Sequence, residues 1–439
     1  MAKDSLTETG NVNSNVTRDI VTKLWNLCNI LRDDGITYNE YVTELTYLLF
    51  LKMLAETGRE SRLPEAYRWA ELDLLEGLEQ LEFYRQMLLD LGNVKQVSDP
   101  VVLAIFTDAQ TRLRKPTNLK ALTGAIDGLD WFSAREEGLG NLYEGLLEKN
   151  AAEKKSGAGQ YFTPRPLIDC IVRLVKPQAG EVIQDPAAGT GGFLAAADQF
   201  VKLNTNDLYE LTQDQAHFQR HDAYQGLELV PDTHRLCLMN LMLHGIEGGV
   251  RSGDSLSPDG EVLGKADVIL TNPPFGTKKG GGRPTRSDFS VTAETSNKQL
   301  AFVEHIYRAL KPGGRAAVVL PDNVLFEDNT GRKLRQQLME LCDLHTILRL
   351  PTGIFYAQGV KTNVLFFARG KKSSGSTPGV WVYDMRANMN SFGKTRQLTV
   401  ADFAEFEAVF GDDRLAWIRA RRGGFVIFRG SRWAIVMII

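Results

Sequence analysis

The stretch Asp267-Val-Ile-Leu-Thr-Asn-Pro-Pro-Phe275 runs as an apolar strand into a side-chain amide, two prolines and an aromatic ring. Proline has no N–H to give to a sheet ladder, so Pro273 and Pro274 must stop the strand. A residue before proline is driven toward extended backbone, which holds Asn272 at a rigid tip. The tip offers two fixed acceptors, the Asn272 side-chain carbonyl and the Pro273 backbone carbonyl, with the Phe275 ring beside them. Preorganised acceptors of this kind suit an amine whose nitrogen must become tetrahedral.

Four further stretches precede it. Asp185-Pro-Ala-Ala-Gly-Thr-Gly-Gly-Phe193 follows a short apolar strand and leads into an apolar helix from Leu194 to Phe200. Its glycines let the backbone turn tightly and approach a ligand without Cβ interference. Leu194 stands where the dinucleotide fingerprint needs its third glycine, so a pyrophosphate site is not indicated. Glu228, in Gly226-Leu-Glu-Leu, sits at the end of the next strand, where an acid can accept hydrogen bonds from both hydroxyls of a ribose. Asp254, in Gly253-Asp-Ser, is at the third such position, where an acceptor can meet an adenine amine. Upstream, Gln160-Tyr-Phe-Thr-Pro-Arg165 opens a helix from Pro166 to Val175. Thr163 with Pro164 also makes an ordinary N-cap arrangement, so a plain helix start accounts for that stretch equally well.

These stretches need a scaffold, and the periodicity supplies one. Short apolar strands fall at Val182–Gln184, Tyr224–Leu227, Asp267–Thr271, Ala316–Leu320, Thr346–Leu350 and Val364–Ala368, with helical patterns between them. That alternation predicts an α/β fold with a mostly parallel, doubly wound sheet. Ligands of such sheets bind at the carboxyl ends of the strands, which is where the Asn272 tip would lie. Before residue 180 the spacing is helical only: Ile20, Leu24, Leu27 and Leu31 form one stripe, Tyr41, Leu45, Leu48 and Leu51 a second. Residues 1–16 are polar, and Lys154-Lys-Ser-Gly-Ala-Gly159 reads as a hinge.

At 439 residues the chain exceeds one core, so two or three domains are expected. The formal net charge of −3 does not favour a protein that holds DNA alone, because nonspecific affinity comes from neutralising phosphates. The four cysteines stand at least 67 residues apart, which suggests neither a zinc cluster nor a disulfide framework. No signal peptide or long apolar span is evident, which points to the cytoplasm and no membrane partner. His217 and His221 are spaced i, i+4 but lack the glutamate of a zincin and a third ligand.

Together, in this order, the four motifs resemble the modification (M) subunit of type I restriction–modification systems, an N6-adenine DNA methyltransferase. The resemblance covers residues 15–410. It implies a Rossmann-like methyltransferase sheet over 151–370, an α-helical N-terminal domain over 1–150 and a C-terminal extension over 371–439. It also implies S-adenosylmethionine as methyl donor, with no metal. Gln160, Tyr161, Phe162, Thr163, Pro164 and Arg165 would line its methionine side. Asp185 with Thr190, Gly191 and Gly192 would pass beneath its amino-acid part, Glu228 would take the ribose, and Asp254 completes the set. Asn272, Pro273, Pro274 and Phe275 would hold the target adenine, flipped out of the duplex. The family often has cysteine where Ala188 stands, and a small residue suffices there.

Basic residues at Lys278, Lys279, Arg283 and Arg286 lie on the loop after the tip, either contacting phosphates or simply solvated. No sizeable reader of base edges follows the catalytic stretches. The resemblance assigns sequence choice to a separate specificity (S) subunit, flanked by two M subunits, with a restriction (R) subunit joining for cleavage of DNA. Other amine methylations, of an rRNA guanine or a protein glutamine, and an inactive scaffold are the alternatives. The last 26 residues hold six arginines and no acid and end in Trp433-Ala-Ile-Val-Met-Ile-Ile. That departs from the family and leads us to expect a frame change or premature end in the coding sequence.

Overall fold

The computed structural model describes residues 19–27, 38–153, 162–277, 282–355, 360–371, 376–386, 392–393, 396–411, 426–427 and 433–436. The polar N-terminus, the glycine-rich hinge, Gln160, Tyr161, Lys278, Lys279 and most of the C-terminal tail lie outside them.

The chain divides into two compact units, 1–153 with 235–247, and 154–234 with 248–439. The first is helical: α1 (Tyr38–Glu56), α2 (Trp69–Asp73), α3 (Gly77–Leu91), α4 (Pro100–Phe106), α5 (Pro116–Asp127), α6 (Trp131–Glu137) and α7 (Leu139–Glu153). The expected stripe on α1 is instead burial on every side. Residues 44–54 are all buried because Leu-Leu-Phe-Leu leaves no polar face. Lys52 is tolerated there through ion pairs to Asp127 and Glu56. Residues 235–247 complete this unit: Arg235 Nε donates to the Ile105 carbonyl at 2.8 Å, and the Tyr143 hydroxyl to Met239 Sδ at 3.2 Å.

The second unit is built on one sheet. Its strands are β1 (Ile183–Asp185), β2 (Tyr224–Glu228), β3 (Val250–Ser252), β4 (Ala266–Thr271), β5 (Leu310–Pro321), β6 (Cys342–Leu350), β7 (Thr362–Arg369), β8 (Val380–Asp384), β9 (Val426–Ile427) and β10 (Trp433–Val436). Their order is β3-β2-β1-β4-β5-β7-β6-β8-β10-β9. From β3 to β5 every neighbour is parallel; β7 runs antiparallel between β5 and β6. Four strands were not anticipated, β3, β8, β9 and β10. The helices are α8 (Arg165–Val175), α9 (Gly192–Asn204), α10 (Gln213–His221), α11 (Pro231–Leu243), α12 (Lys298–Ala309), α13 (Asn323–Phe326), α14 (Thr330–Leu341) and α15 (Ala404–Val409), with α11 crossing into the first unit.

Ile269, Ala316, Val318 and Leu320 pack with Leu300, Val303 and Ile306 of α12 and Leu334 and Leu338 of α14. The alternate residues Val268, Leu270, Ala317 and Val319 are buried as well. Both faces of the central strands are therefore covered, as a parallel sheet requires. Only the strand ends remain for chemistry.

Candidate active site

Strand order reverses between β1 and β4, which are adjacent and parallel with Ile183 opposite Val268. The crevice at such a reversal is the usual ligand site of an open α/β sheet. Asp185 ends β1 on one side of it, and Asn272 follows β4 on the other.

The turn after β1 is drawn back onto β2. Asp185 Oδ1 accepts the Ala187 N–H at 3.0 Å, and the Ala188 N–H donates to the Leu227 carbonyl at 2.9 Å. Gly226 permits this approach: a Cβ there would stand 2.6 Å from the Asp185 carbonyl. Gly191, at φ +81°, caps α9, so the turn passes directly into the helix that begins at Gly192. Thr190 is half-buried on that turn.

Two acids face this turn. Glu228 Oε2 accepts the Gly189 N–H at 2.9 Å and Oε1 the Val230 N–H at 2.8 Å. Burial pushes the Asp185 carboxyl up to about 7, and the neighbouring Glu228 charge adds to the rise. Burial likewise raises Glu228, against the pull of the Val230, Gly189 and Leu229 N–H groups. Neither shift draws on a lysine or arginine. The pair therefore forms an acidic, partly desolvated acceptor set that favours a ligand bringing hydroxyls or positive charge. Asp254 organises its own loop, its Oδ1 accepting the Leu256 N–H at 2.9 Å while its N–H donates to Asp259 Oδ2 at 3.1 Å.

At the tip, Asn272 Nδ2 donates to Thr163 Oγ1 at 2.9 Å. That bond orients the amide and turns its carbonyl oxygen the other way. Pro273 is buried, and Pro274 and Phe275 are half-buried. Gly276, at φ +95°, closes the tip against α12: its N–H donates to Gln299 Oε1 at 2.8 Å and its carbonyl accepts the Lys298 N–H at 3.0 Å. The tip is thus held from the strand side and the helix side.

Thr163 does not cap a helix. Helix α8 starts at Arg165 with Pro164 as its N-cap and no side-chain cap bond. Its hydroxyl serves Asn272 instead, across 109 positions of sequence. Phe162 is half-buried and Pro164 buried beside it. Arg165 ties α8 to α9, with Nε donating to Asp169 at 2.7 Å and Nη2 to Gln199.

On the loop after the tip, Arg283 pairs with Glu294. Arg286 is buried and bound to Asp288, so it is not available to phosphates. His217 and His221 stack at 4.2 Å between ring centroids. Among the described residues no group of three His, Cys, Asp or Glu is placed to hold a metal ion, and no helix is long and apolar enough to cross a membrane. Sequence reasoning missed Gln299 and the Thr163–Asn272 link, for which nothing local gave a signal.

The chain matches the family model described as N-6 DNA Methylase over residues 134–421, and the HsdM N-terminal domain over 20–149. It is 53% identical over 411 residues to the type I restriction enzyme EcoKI methylase subunit of Escherichia coli K12, covering 90% of this chain and 76% of that one. The crystal structure of the EcoKI M protein superposes with a TM-score of 0.55 at 50% identity, over 90% of this chain and 77% of that one. A modification subunit of a putative type I restriction enzyme from Vibrio vulnificus YJ016 gives 0.72 at 26% identity, over 93% and 91%. A family model over more than half of the chain and a relative 53% identical over 90% of it place the chain in the N-6 DNA methylase family, among the methylase subunits of type I restriction enzymes.

Proposed function

We propose that this chain methylates the N6 amine of adenine in DNA by dividing the carboxyl edge of its sheet into a cofactor half and an amine half. The observation that carries the reading is the Thr163–Asn272 hydrogen bond, which orients a neutral amide one strand away from Asp185. S-adenosylmethionine, when bound, supplies a methyl group activated by its sulfonium.

The residues do the rest. The Asp185–Gly192 turn carries Gly189 and Gly191 at positive φ, and Asp185 and Glu228 present acceptors for an ammonium and for ribose hydroxyls. Asp254, on the loop after β3, accepts from the cofactor base. Thr163 meets Asn272, and Gln160, Tyr161 and Phe162 are assigned to the methionine side of the cofactor on the resemblance. Asn272 Oδ1 and the Pro273 carbonyl accept from the exocyclic amine and keep its lone pair directed at the methyl, while Phe275 stacks on the flipped base. No covalent enzyme intermediate is needed.

A chain with net charge −3 takes its DNA through partners. We infer two copies of this chain on one specificity subunit, a restriction subunit that joins for cleavage, and a cytoplasmic setting.

The test is incubation of the chain with its specificity subunit, unmethylated duplex and methyl-labelled S-adenosylmethionine. Label on adenine N6 is expected; label on RNA or protein instead, or bound cofactor with no transfer, overturns the reading. Asn272→Ala should lower turnover by about 10²–10³-fold, the typical loss on removing one preorganised polar group. Its cofactor affinity should stay unchanged, and loss of that affinity would contradict the division of roles.

A further inference from the structure

Of the two described basic residues of the post-tip loop, Arg283 and Arg286, the fold takes Arg286 inside. Its Nε and Nη2 donate to Asp288 Oδ1 and Oδ2 at 2.8 and 2.9 Å. Its Nη1 points the other way and donates to the Ser255 carbonyl at 3.3 Å and to His305 Nδ1, on α12, at 3.1 Å. The guanidinium lies 5.1 Å over the Phe289 ring. Gly260 makes room for it, since a Cβ there would stand 2.4 Å from Nη1 and 2.3 Å from the Ser255 carbonyl.

What this arginine grips is the loop of Asp254. Ser255 follows Asp254 directly, and its hydroxyl donates to the Pro186 carbonyl, one residue past Asp185. The Thr285 N–H donates to the Leu256 carbonyl at 2.9 Å, a second strut one residue from Arg286. Leu256 and Phe289 pack together with Ala301 and Phe302 of α12, and Ala187 of the glycine turn packs against them. The contacts form a chain from Asp288 through Arg286 to Ser255 to Pro186, and so join the loops after β1 and β3. His305 is neutral in this setting, because burial and the Arg286 charge push its pKa down to about 3. It therefore accepts from the arginine through Nδ1 at any working pH.

We propose that Arg286 is a positioning residue for cofactor binding: through Ser255 it sets Asp254 and the Asp185 turn at their working separation, and it touches neither DNA nor the reacting atoms. The inference rests on the cofactor half of the proposed function. A planar fork is required, since two nitrogens face Asp288 while the third faces Ser255 and His305. Lysine keeps the charge but cannot span both directions. Ser255→Ala removes the next link without disturbing the Arg286–Asp288 ion pair.

The experiment uses the full chain assembled with its specificity subunit. Cofactor dissociation constants, KM for duplex DNA, kcat at saturating S-adenosylmethionine and unfolding midpoints are measured for wild type, Arg286→Lys, Ser255→Ala and the double variant. Arg286→Lys and Ser255→Ala should each weaken cofactor binding by about tenfold, as expected for a buried hydrogen bond to a charged or ordered partner. KM for DNA and saturated kcat should stay within about twofold. The double variant should fall short of the product of the two, because both cut one chain of contacts. Unchanged cofactor affinity in folded Ser255→Ala overturns the proposal, as does a loss that falls on kcat or on DNA. If Arg286→Lys does not fold, Ser255→Ala decides alone. Absence of cofactor binding by wild type would instead overturn the proposed function, and the two failures are distinct.

Discussion

Two acids stand at the carboxyl edge of the same sheet and are treated in opposite ways. Asp322, just after β5, takes both Nη atoms of Arg386 at 2.7 and 2.9 Å and the Asn363 amide at 2.8 Å. Burial alone would raise its pKa, yet Arg386 and Asn363 hold it below the ordinary carboxylate range. Arg386 also donates to the Leu350 and Thr362 carbonyls, so the pair ties the ends of β5, β6 and β7 together. Asp185, just two strands away in the order, is fully buried and has an acid, Glu228, as its charged neighbour. A carboxylate with its cation built in belongs to the scaffold. One whose charge the fold leaves uncompensated is a place where a ligand can supply the compensation.

Exchange of each acid for its amide separates the two roles. Asp185→Asn should weaken cofactor binding by about a hundredfold, the differential of two pKa units' worth of charge interaction. Its unfolding midpoint should hold or rise, because the substitution removes a buried charge that no lysine or arginine compensates. Equal cofactor affinity in wild type and Asp185→Asn, by isothermal titration, would break the comparison on its functional side.

Asp322→Asn should do the reverse. Breaking a fully buried ion pair costs about 3–5 kcal/mol. Solvent reaches part of this one, with side-chain exposures of 22% for Asp322 and 14% for Arg386, so we expect about 2 kcal/mol in denaturant unfolding. Cofactor affinity should barely move. A larger loss of affinity than of stability would put Asp322 with the functional acids.

What the sequence disclosed follows the range of the forces involved. β4 and its proline stop are local, and the structure ends the strand at Thr271 as read. The glycine turn and Glu228 are local too, and both lie on strand ends. β3 was illegible because only Val250 of its three residues is buried, which leaves no alternation to see. β8 follows a Ser/Gly/Pro loop and carries a single short apolar pattern, Val-Trp-Val-Tyr. Thr163 looked like a cap because the residues that cap helices are the ones that serve as acceptors elsewhere. Its partner is 109 positions away, a distance no periodicity reports. Arg286 reads in sequence as either a phosphate contact or a solvated side chain, because charge and glycine-rich company are visible there, while its burial against the Ser255 carbonyl, 31 positions back, is a matter of fold.

The comparison has a pH signature of opposite sign at the two acids. A carboxyl has an unfolded pKa of about 3.9. Asp322 is depressed when folded, so its stabilisation is present above that value and is lost as pH falls through the folded one. Asp185 is raised to about 7 when folded, so the native state keeps a proton that the unfolded chain releases from about pH 4 upward. Its contribution to stability is therefore greatest below pH 4, declines as pH rises to 7 and stays low above. A cationic ligand prefers the ionised form and must displace that proton below pH 7. Cofactor affinity should accordingly gain up to about tenfold between pH 6 and pH 8, one unit of titration being worth about 1.4 kcal/mol. Groups on the cofactor titrate in the same window, so the measure is the ratio of wild-type to Asp185→Asn affinity at each pH. That ratio should rise toward pH 8 and level off. A flat ratio would mean that Asp185 is already ionised or does not meet the ligand's charge, and the two acids would then differ only in their packing.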